Sequence, residues 1–234
     1  MLFDIHSHIL PGVDDGSQFF DTSIQMIEEE IKNGVTDVIL TPHFCYGKIG
    51  QLSKQDLIEA FEEFKEKVKD YPINLYLGSE IMLHGDFLEG MRKNEIISMN
   101  NSKYVLIEFN FGEDPLMIYE KTFNVTCLGY TPIIAHLERY VNFNLELAHS
   151  LKKLGALIQV NTTSIDGNFG NVIKKNAFAL LKNKLVDFIA SDAHSMRTRK
   201  PNLKNTLEFV KKKFKQEFTN ELKNFDKPFI YQEN

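Results

Sequence analysis

Seven short apolar segments alternate with helical patterns along this chain, and that alternation constrains the fold more than any other feature. The segments are rich in β-branched residues and lie at 2–5, 36–40, 73–77, 104–107, 131–135, 156–160 and 186–190. Helical periodicity covers 22–32, 54–70, 145–154 and 172–183, and a closing helix is expected after residue 202. Apolar strands that alternate with helices indicate parallel strands joined by right-handed crossovers.

Side chains that can bind a metal ion or take part in catalysis follow the carboxyl ends of six of the seven predicted strands. A ring of strands brings all of these ends together, whereas a flat sheet does not. The sequence therefore predicts an α/β fold, a distorted seven-stranded (β/α)7 barrel of the TIM type. The strand-end residues are His6, His8, His43, Glu80, Glu108, His136, Asp192 and His194.

The length of 234 residues suits one barrel, so we expect a single domain over 1–234 with a C-terminal tail at 217–234. No apolar run approaches the roughly 18 residues of a membrane span, and the N-terminus has no signal-peptide pattern. We therefore expect no membrane insertion and a cytoplasmic location. The net charge of −5 argues against binding to nucleic acid and against a nuclease.

The strand-end residues offer imidazole and carboxylate groups without thiolate, a combination that suits manganese, iron or zinc better than calcium. Manganese is the first expectation, with cobalt and magnesium as further alternatives. In the His6-Ser7-His8 motif, two imidazoles in extended backbone project to one face and can bind one ion together. His84 and His149 lie off the strand-end pattern, so we expect no metal-binding role for them.

Cysteine-based phosphatase chemistry does not fit this sequence. The C-x5-R motif would require arginine at 51 or 133, where the chain has Gln51 and Ile133. Cys45 and Cys127 are too few for a disulfide framework and belong to no CxxC pair. We expect both to be free thiols.

Six motifs occur in order: DIHSHILPGVDDGS, TPHF, GSEI, IEF, AHLERY and SDAHSMRTRKP. Together, over residues 2–201, they resemble the PHP (polymerase and histidinol phosphatase) superfamily. The HILPGVDDGS continuation, with Asp14, is similar to the branch of tyrosine-protein phosphatases found in bacterial capsule and exopolysaccharide operons. Asp15 fits a turn-forming role as well as a role in orienting an imidazole, and we leave it unassigned.

The resemblance implies three divalent ions and hydrolysis of phosphotyrosine by a metal-activated water. It implies as partner a phosphotyrosine protein, the tyrosine autokinase that regulates polysaccharide synthesis. Two other PHP functions stay open: a small-molecule phosphatase of the histidinol-phosphatase type, and a module without catalysis. The implied ligands are His6, His8, Glu80 and Asp192 for the first ion, Glu80, Glu108 and His136 for the second, and Asp14, His43 and His194 for the third.

Only four of the 27 basic residues are arginines, and three of these lie within five residues of a predicted ligand. Arginine binds phosphate oxygens through a bidentate fork that lysine lacks. Arg139 and Arg199 are therefore the catalytic candidates, and the resemblance points to the same two. An ion pair between Arg139 and Glu138 is the alternative. Aromatic residues beside the ligands either line a slot for the phosphotyrosine ring or pack in the core: Phe44, Tyr46, Phe109, Phe111 and Tyr140.

Overall fold

The computed structural model describes residues 2–48, 50–214 and 222–225. In this part of the chain nine strands pair in parallel and form a curled sheet surrounded by helices. The strands are β1 (Phe3–Ser7), β2 (Asp37–Leu40), β3 (His43–Phe44), β4 (Asn74–Leu77), β5 (Glu80–Met82), β6 (Tyr104–Glu108), β7 (Thr131–Ile134), β8 (Leu157–Asn161) and β9 (Phe188–Ala190). The pairing order is β1-β2-β4 in one section of the sheet and β3-β5-β6-β7-β8-β9 in the other.

All seven predicted strands are present, and two of them, β2 and β4, are each followed after a two-residue break by a further short strand, which gives the count of nine. Thr41-Pro42 separates β2 from β3, and Gly78-Ser79 separates β4 from β5. Proline has no N–H to donate to a neighbouring strand. The two breaks remain hydrogen-bonded, because Gly78 N donates to Leu40 O at 2.8 Å and Glu80 N to Pro42 O at 3.0 Å. The predicted α/β barrel architecture is confirmed with this modification.

The predicted helices are confirmed with small changes at their ends. The helices are α1 (Phe20–Lys32), α2 (Lys54–Lys67), α3 (Phe87–Arg92), α4 (Pro115–Cys127), α5 (Leu145–Lys153), α6 (Thr162–Asp166), α7 (Asn171–Lys182) and α8 (Leu203–Phe214). The first turn of α2 carries a capping box between Ser53 and Asp56, which satisfies exposed backbone N–H groups. Asp114 caps α4, whose first residue is Pro115. No helix of the described ranges is long and apolar enough for a transmembrane span.

A bulge in β1 determines which of its side chains reach the inside of the barrel. Between Asp4 and Ser7 the register against β2 shifts by one residue, so two consecutive side chains, Ile5 and His6, stand on the same face. Ile5 packs in the apolar cluster inside the barrel with Leu106. His6 lies beyond it at the carboxyl ends of the strands. The bulge thus turns an imidazole toward the carboxyl ends of the other strands.

The seam between β1 and β9 is closed by hydrogen bonds rather than by a regular ladder. At the carboxyl end, His8 N donates to Ala193 O at 2.8 Å and Asp192 N to His6 O at 2.9 Å. At the opposite end, Asn224 Nδ2 donates to Phe3 O at 2.9 Å, and Ile189 N donates to Asn224 Oδ1 at 3.0 Å. Of the predicted tail, only 222–225 belongs to the described residues, and there the chain packs against the barrel.

Candidate metal centre

Four side chains from β1, β5 and the end of β9 converge on one point. His6 Nε2 and His8 Nε2 are 3.1 Å apart, and they lie 3.2 and 3.3 Å from Glu80 Oε2. Asp192 Oδ1 is 3.5 Å from both nitrogens. All four side chains are buried. This grouping matches the ligand set expected for the first ion.

A second group of side chains contacts both oxygens of Glu80. His136 Nε2 lies 2.8 Å from Glu80 Oε1 and 3.7 Å from Glu108 Oε2. His43 Nδ1 lies 3.1 Å from Glu80 Oε2 and 3.0 Å from Glu108 Oε1. Glu80 Oε1 therefore faces His136, whereas Glu80 Oε2 faces His43 as well as the two imidazoles of the first group.

The third group contains Asp15, whereas the residue expected there was Asp14. Asp15 Oδ1 lies 3.3 Å from His43 Nε2 and 3.4 Å from His194 Nε2, and with His8 these residues form a set that can hold an ion. Asp14 Oδ2 instead accepts a hydrogen bond from His8 Nδ1 at 2.7 Å. Its other oxygen accepts from Gly16 N at 2.9 Å. Asp14 therefore orients an imidazole, and the neighbouring carboxylate faces the cluster.

The donor atoms of the three groups fit a divalent metal ion. Within the part of the chain that the structure describes, Glu80 Oε2 and His194 Nε2 are buried and have no hydrogen-bond partner. Buried polar atoms without partners cost free energy, and a cation that accepts their lone pairs removes that cost. Nitrogen and carboxylate ligands without sulfur are typical of transition-metal sites of this kind.

The charges of the cluster are set by mutual contact. Burial would raise the pKa of Glu80, but His6 and His43 hold it well below its usual range. Burial would also raise the pKa of Asp192, and His6 with His194 lowers it. For His8, burial works toward a lower pKa, but Asp14 and Glu80 raise it to about 9. The carboxylates are thus anionic at neutral pH, and protons on the imidazoles compete with cations for the same atoms.

Two left-handed residues shape the ends of β7 and β9. His136 has φ 35° and Asp192 has φ 50°, and each is the second residue after the end of its strand. A positive φ is strained for residues other than glycine, and it persists where surrounding contacts hold it. Both side chains belong to the proposed ligand set, so the strain lies where the site needs the chain to turn.

Strand β8, which carried no predicted site residue, supplies Gln159 and Asn161. Gln159 Oε1 accepts from His6 Nδ1 and from His136 N, each at 3.0 Å. Asn161 Nδ2 donates to Asp192 Oδ2 at 2.5 Å. With its Nδ1 proton donated to Gln159, His6 presents Nε2 to the cluster. The signal in the sequence was two amides at alternate positions of an otherwise apolar strand.

Arg139 and Arg199 meet at one carboxylate oxygen. Their Nη1 atoms donate to Asp192 Oδ2 at 3.2 and 3.1 Å. The alternative pairing with Glu138 does not occur, because Glu138 is buried and its Oε1 accepts from Asn161 N. The other two arginines, Arg92 and Arg197, are exposed, as are His84 and His149.

Of the five aromatic candidates, one faces the site from the solvent side. Phe44, Phe109 and Tyr140 are buried in the core. Phe111 is 44% exposed, and its ring centroid is 5.9 Å from that of His136. Phe169, which no pattern in the sequence indicated, also contacts Arg139 with its ring. The remaining candidate, Tyr46, is half-buried, and its ring fills the space beside Gly90, where a Cβ would come within 2.6 Å.

Comparisons with known proteins place this arrangement in a family. Residues 2–228 match the model of the family described as capsular polysaccharide synthesis, CpsB/CapC. The chain is 36% identical over 227 residues to a putative tyrosine-protein phosphatase CapC of Staphylococcus aureus, covering 95% of this chain and 89% of that protein. It is 32% identical over 217 residues to the tyrosine-protein phosphatase YwqE of Bacillus subtilis, covering 91% of this chain and 85% of that protein.

Solved structures agree with the sequence comparison. The fold matches a crystal structure from a study of YwqE of Bacillus subtilis and CpsB of Streptococcus pneumoniae, described as metal-dependent tyrosine phosphatases. The TM-score is 0.86 at 32% identity, with 94% of this chain and 90% of that chain covered. A histidinol phosphate phosphatase of Lactococcus lactis shares the fold, with a TM-score of 0.59 at 14% identity, covering 91% of this chain and 93% of that chain. The expected resemblance to the PHP tyrosine-phosphatase branch is confirmed, and the chain belongs to the CpsB/CapC family of capsular polysaccharide synthesis.

Proposed function

We propose that this chain is a metal-dependent tyrosine-protein phosphatase, a phosphoric monoester hydrolase. The observation that carries the proposal is the contact of Arg139 and Arg199 with Asp192, whose other oxygen faces the histidine cluster. The two arginines that we expect to bind phosphate and the histidine cluster that we expect to bind metal therefore contact the same carboxylate, that of Asp192. Membership of a family that contains tyrosine-protein phosphatases supports the same activity.

We assign three divalent ions to the cluster, with manganese as first choice and iron, zinc, cobalt and magnesium as alternatives. Such ions activate water as a nucleophile and neutralise phosphate charge. The ligand set differs from the expectation in one residue, Asp15 in place of Asp14. We propose His6, His8, Glu80 and Asp192 for the first ion, Glu80, Glu108 and His136 for the second, and Asp15, His43 and His194 for the third.

Arg139 and Arg199 bind the phosphoryl oxygens of the substrate. Each guanidinium carries five N–H donors, and the contact with Asp192 uses one of them in each. The remaining donors suit the equatorial oxygens on which charge accumulates during phosphoryl transfer. The carboxylate of Asp192 holds both side chains at the edge of the cluster before substrate arrives, which lowers the cost of ordering them.

The proposed substrate is a phosphotyrosine protein, in particular the autokinase that regulates capsular or exopolysaccharide synthesis. The description of the family as one of capsular polysaccharide synthesis supports this choice. A location in the cytoplasm, where such a kinase presents its tyrosines, belongs to the same proposal. The net charge of −5 supports a protein partner rather than nucleic acid.

A comparison of substrates tests the proposal against the histidinol-phosphatase alternative. With manganese supplied, a phosphotyrosine peptide should be hydrolysed with a higher kcat/KM than histidinol phosphate or the matched phosphoserine peptide. The phenol of tyrosine, with a pKa of about 10, is a better leaving group than an alkyl alcohol. Chelation should abolish activity, and alkylation of Cys45 and Cys127 should not. A higher kcat/KM for histidinol phosphate would overturn the assignment.

A further inference from the structure

Two phenyl rings contact the guanidinium of Arg139. Its Cζ is 4.8 Å from the ring centroid of Phe111 and 4.5 Å from that of Phe169. Both distances are within the range of cation–π contacts, and a planar guanidinium stacks on aromatic faces better than an ammonium does. Such contacts leave the N–H groups at the edge of a guanidinium available to oxygen acceptors.

The two rings come from different loops, and the loop of Phe111 is hydrogen-bonded to the loop that carries Arg139. Phe111 follows β6, and Phe169 lies in the turn between α6 and α7. Val141 N, two residues after Arg139, donates to Phe111 O at 2.8 Å. Asn142 Nδ2 donates to Gly112 O at 3.2 Å. The loops after β6 and β7 are therefore held in register, and the position of the Phe111 ring is tied to that of the guanidinium.

Phe111 is also accessible to solvent. The residue is 44% exposed, although its ring lies close to His136. The ring therefore lies at the surface beside the cluster. An aryl group bonded to a phosphate that Arg139 holds would come close to this ring.

We propose that Phe111 and Phe169 are positioning residues for Arg139, and that the solvent-accessible ring of Phe111 makes the site select aryl over alkyl phosphate esters. The inference rests on the phosphatase activity proposed above and extends it to substrate class. A restrained guanidinium loses less conformational freedom when it binds phosphate. Ring–ring contact adds an increment that an alkyl ester cannot obtain.

The first experiment measures coupling between Phe169 and Arg139. Phe169→Ala should lower kcat/KM for para-nitrophenyl phosphate about tenfold, which corresponds to about 1.4 kcal/mol. It should weaken competitive inhibition by inorganic phosphate to a similar degree. In an Arg139→Ala background the same substitution should change neither quantity, because the group it positions is gone. Phe169→Tyr should restore both.

Phe123 supplies a matched control for that experiment. It is 48% exposed on α4, so Phe123→Ala removes an exposed ring of the same type without touching the arginine. Activity and phosphate inhibition should stay at the wild-type level. Equal losses from Phe169→Ala with and without Arg139 would reduce Phe169 to a packing residue and overturn its positioning role.

The second experiment separates the aryl preference from the positioning role. Phe111→Ala should lower the ratio of kcat/KM for a phosphotyrosine peptide to that for its phosphoserine counterpart by about three- to tenfold. Phe111→Tyr should keep the ratio, and Phe169→Ala should leave it unchanged while slowing both substrates. An unchanged ratio in Phe111→Ala would refute selection by this ring.

Failure of the proposed function would look different from failure of this inference. If the wild-type protein hydrolysed no phosphotyrosine peptide, the proposed function and the aryl preference would both fall. Competition between inorganic phosphate and whichever phosphate ester the protein hydrolyses would still measure the coupling between Phe169 and Arg139. If phosphotyrosine hydrolysis stood and the coupling were absent, only the inference about the rings would be overturned.

Discussion

His8 donates from Nδ1 to Asp14 at 2.7 Å, while its Nε2 faces Glu80 at 3.3 Å. One imidazole thus connects an orienting carboxylate with a ligand carboxylate. Burial would raise the pKa of Asp14, but the hydrogen bond from His8 lowers it below the usual value. The anion fixes which nitrogen of His8 carries the proton, and the other nitrogen is left for a metal ion.

The two adjacent aspartates should therefore respond differently to substitution. We expect Asp15→Ala to reduce bound metal by about one ion per chain, because it removes a ligand carboxylate. Asp14→Ala should keep the number of sites and weaken affinity about ten- to a hundredfold. Elemental analysis combined with calorimetric titration of manganese distinguishes the two effects. Loss of a whole ion in Asp14→Ala, with full loading of Asp15→Ala, would restore the ligand assignment made from the sequence.

Glu80 should be required for turnover rather than for substrate affinity. Its Oε2 faces His6 and its Oε1 faces His136, so Glu80→Ala removes the carboxylate that we assign to both the first and the second ion. We expect kcat to fall below detection while the fold is retained, as judged by circular dichroism. Glu66→Ala, on the exposed surface of α2, is the control. Near wild-type kcat in Glu80→Ala would remove the bridging role.

Arg139→Ala and Arg199→Ala should each lower kcat/KM about a hundredfold, equivalent to about 2.7 kcal/mol of transition-state stabilisation. Lysine at either position should recover only part of the activity, because it lacks the planar fork. Arg92→Ala, with an exposed side chain in α3, should behave as wild type. Steady-state kinetics at constant metal content provide the test. Unchanged kcat/KM in both alanine variants would make the two arginines structural partners of Asp192.

A buried acid pair outside the metal centre predicts how stability depends on pH. Burial and the neighbouring Asp4 raise the pKa of Glu30 well above its usual value. A carboxyl whose pKa is raised by folding stabilises the fold below its unfolded pKa, and this contribution is lost as pH rises through the folded pKa. The wild type should therefore lose up to about 1.4 kcal/mol per pH unit across that window as the proton leaves.

Glu30→Gln should remove this loss, because glutamine does not titrate and can donate to Asp4. The difference in Tm between the variant and the wild type should grow in favour of the variant from pH 5 upward. Both proteins should be measured with the same saturating metal, so that titration of the ligands cancels in the comparison. Glu66→Gln, at an exposed position, should show a constant difference. A constant difference in Glu30→Gln as well would mean that the buried pair carries no shifted proton.

The strand-end histidines and carboxylates could be predicted because parallel strands bring their carboxyl ends together whatever the details of the loops. Which of Asp14 and Asp15 faces the cluster could not be predicted from the sequence. It depends on how the loop crosses β1: at Gly16 a Cβ would come within 2.3 Å of His8 O, so the loop lies directly against the strand and turns one carboxylate toward Nδ1. Such a contact is tertiary and leaves no periodicity in the sequence.

The orientation of His6 was inferred from the spacing to His8, but strict alternation along β1 would place it on the face of Asp4, away from Ile5. The bulge between Asp4 and Ser7 overrides that alternation. Phe169 could not be predicted for a related reason. It is far in sequence from every proposed ligand, and only the turn after α6 brings it to Arg139.

The amide of Asn224 has a consequence for the order of events on the ribosome. Both β1, made first, and β9, made late, depend on this one side chain at the end of the seam opposite the ligands. A nascent chain that has already exposed every proposed ligand still lacks one of the groups that join its first strand to its last. The end of the seam opposite the ligands can therefore reach its final hydrogen bonding only after residue 224 has left the exit tunnel.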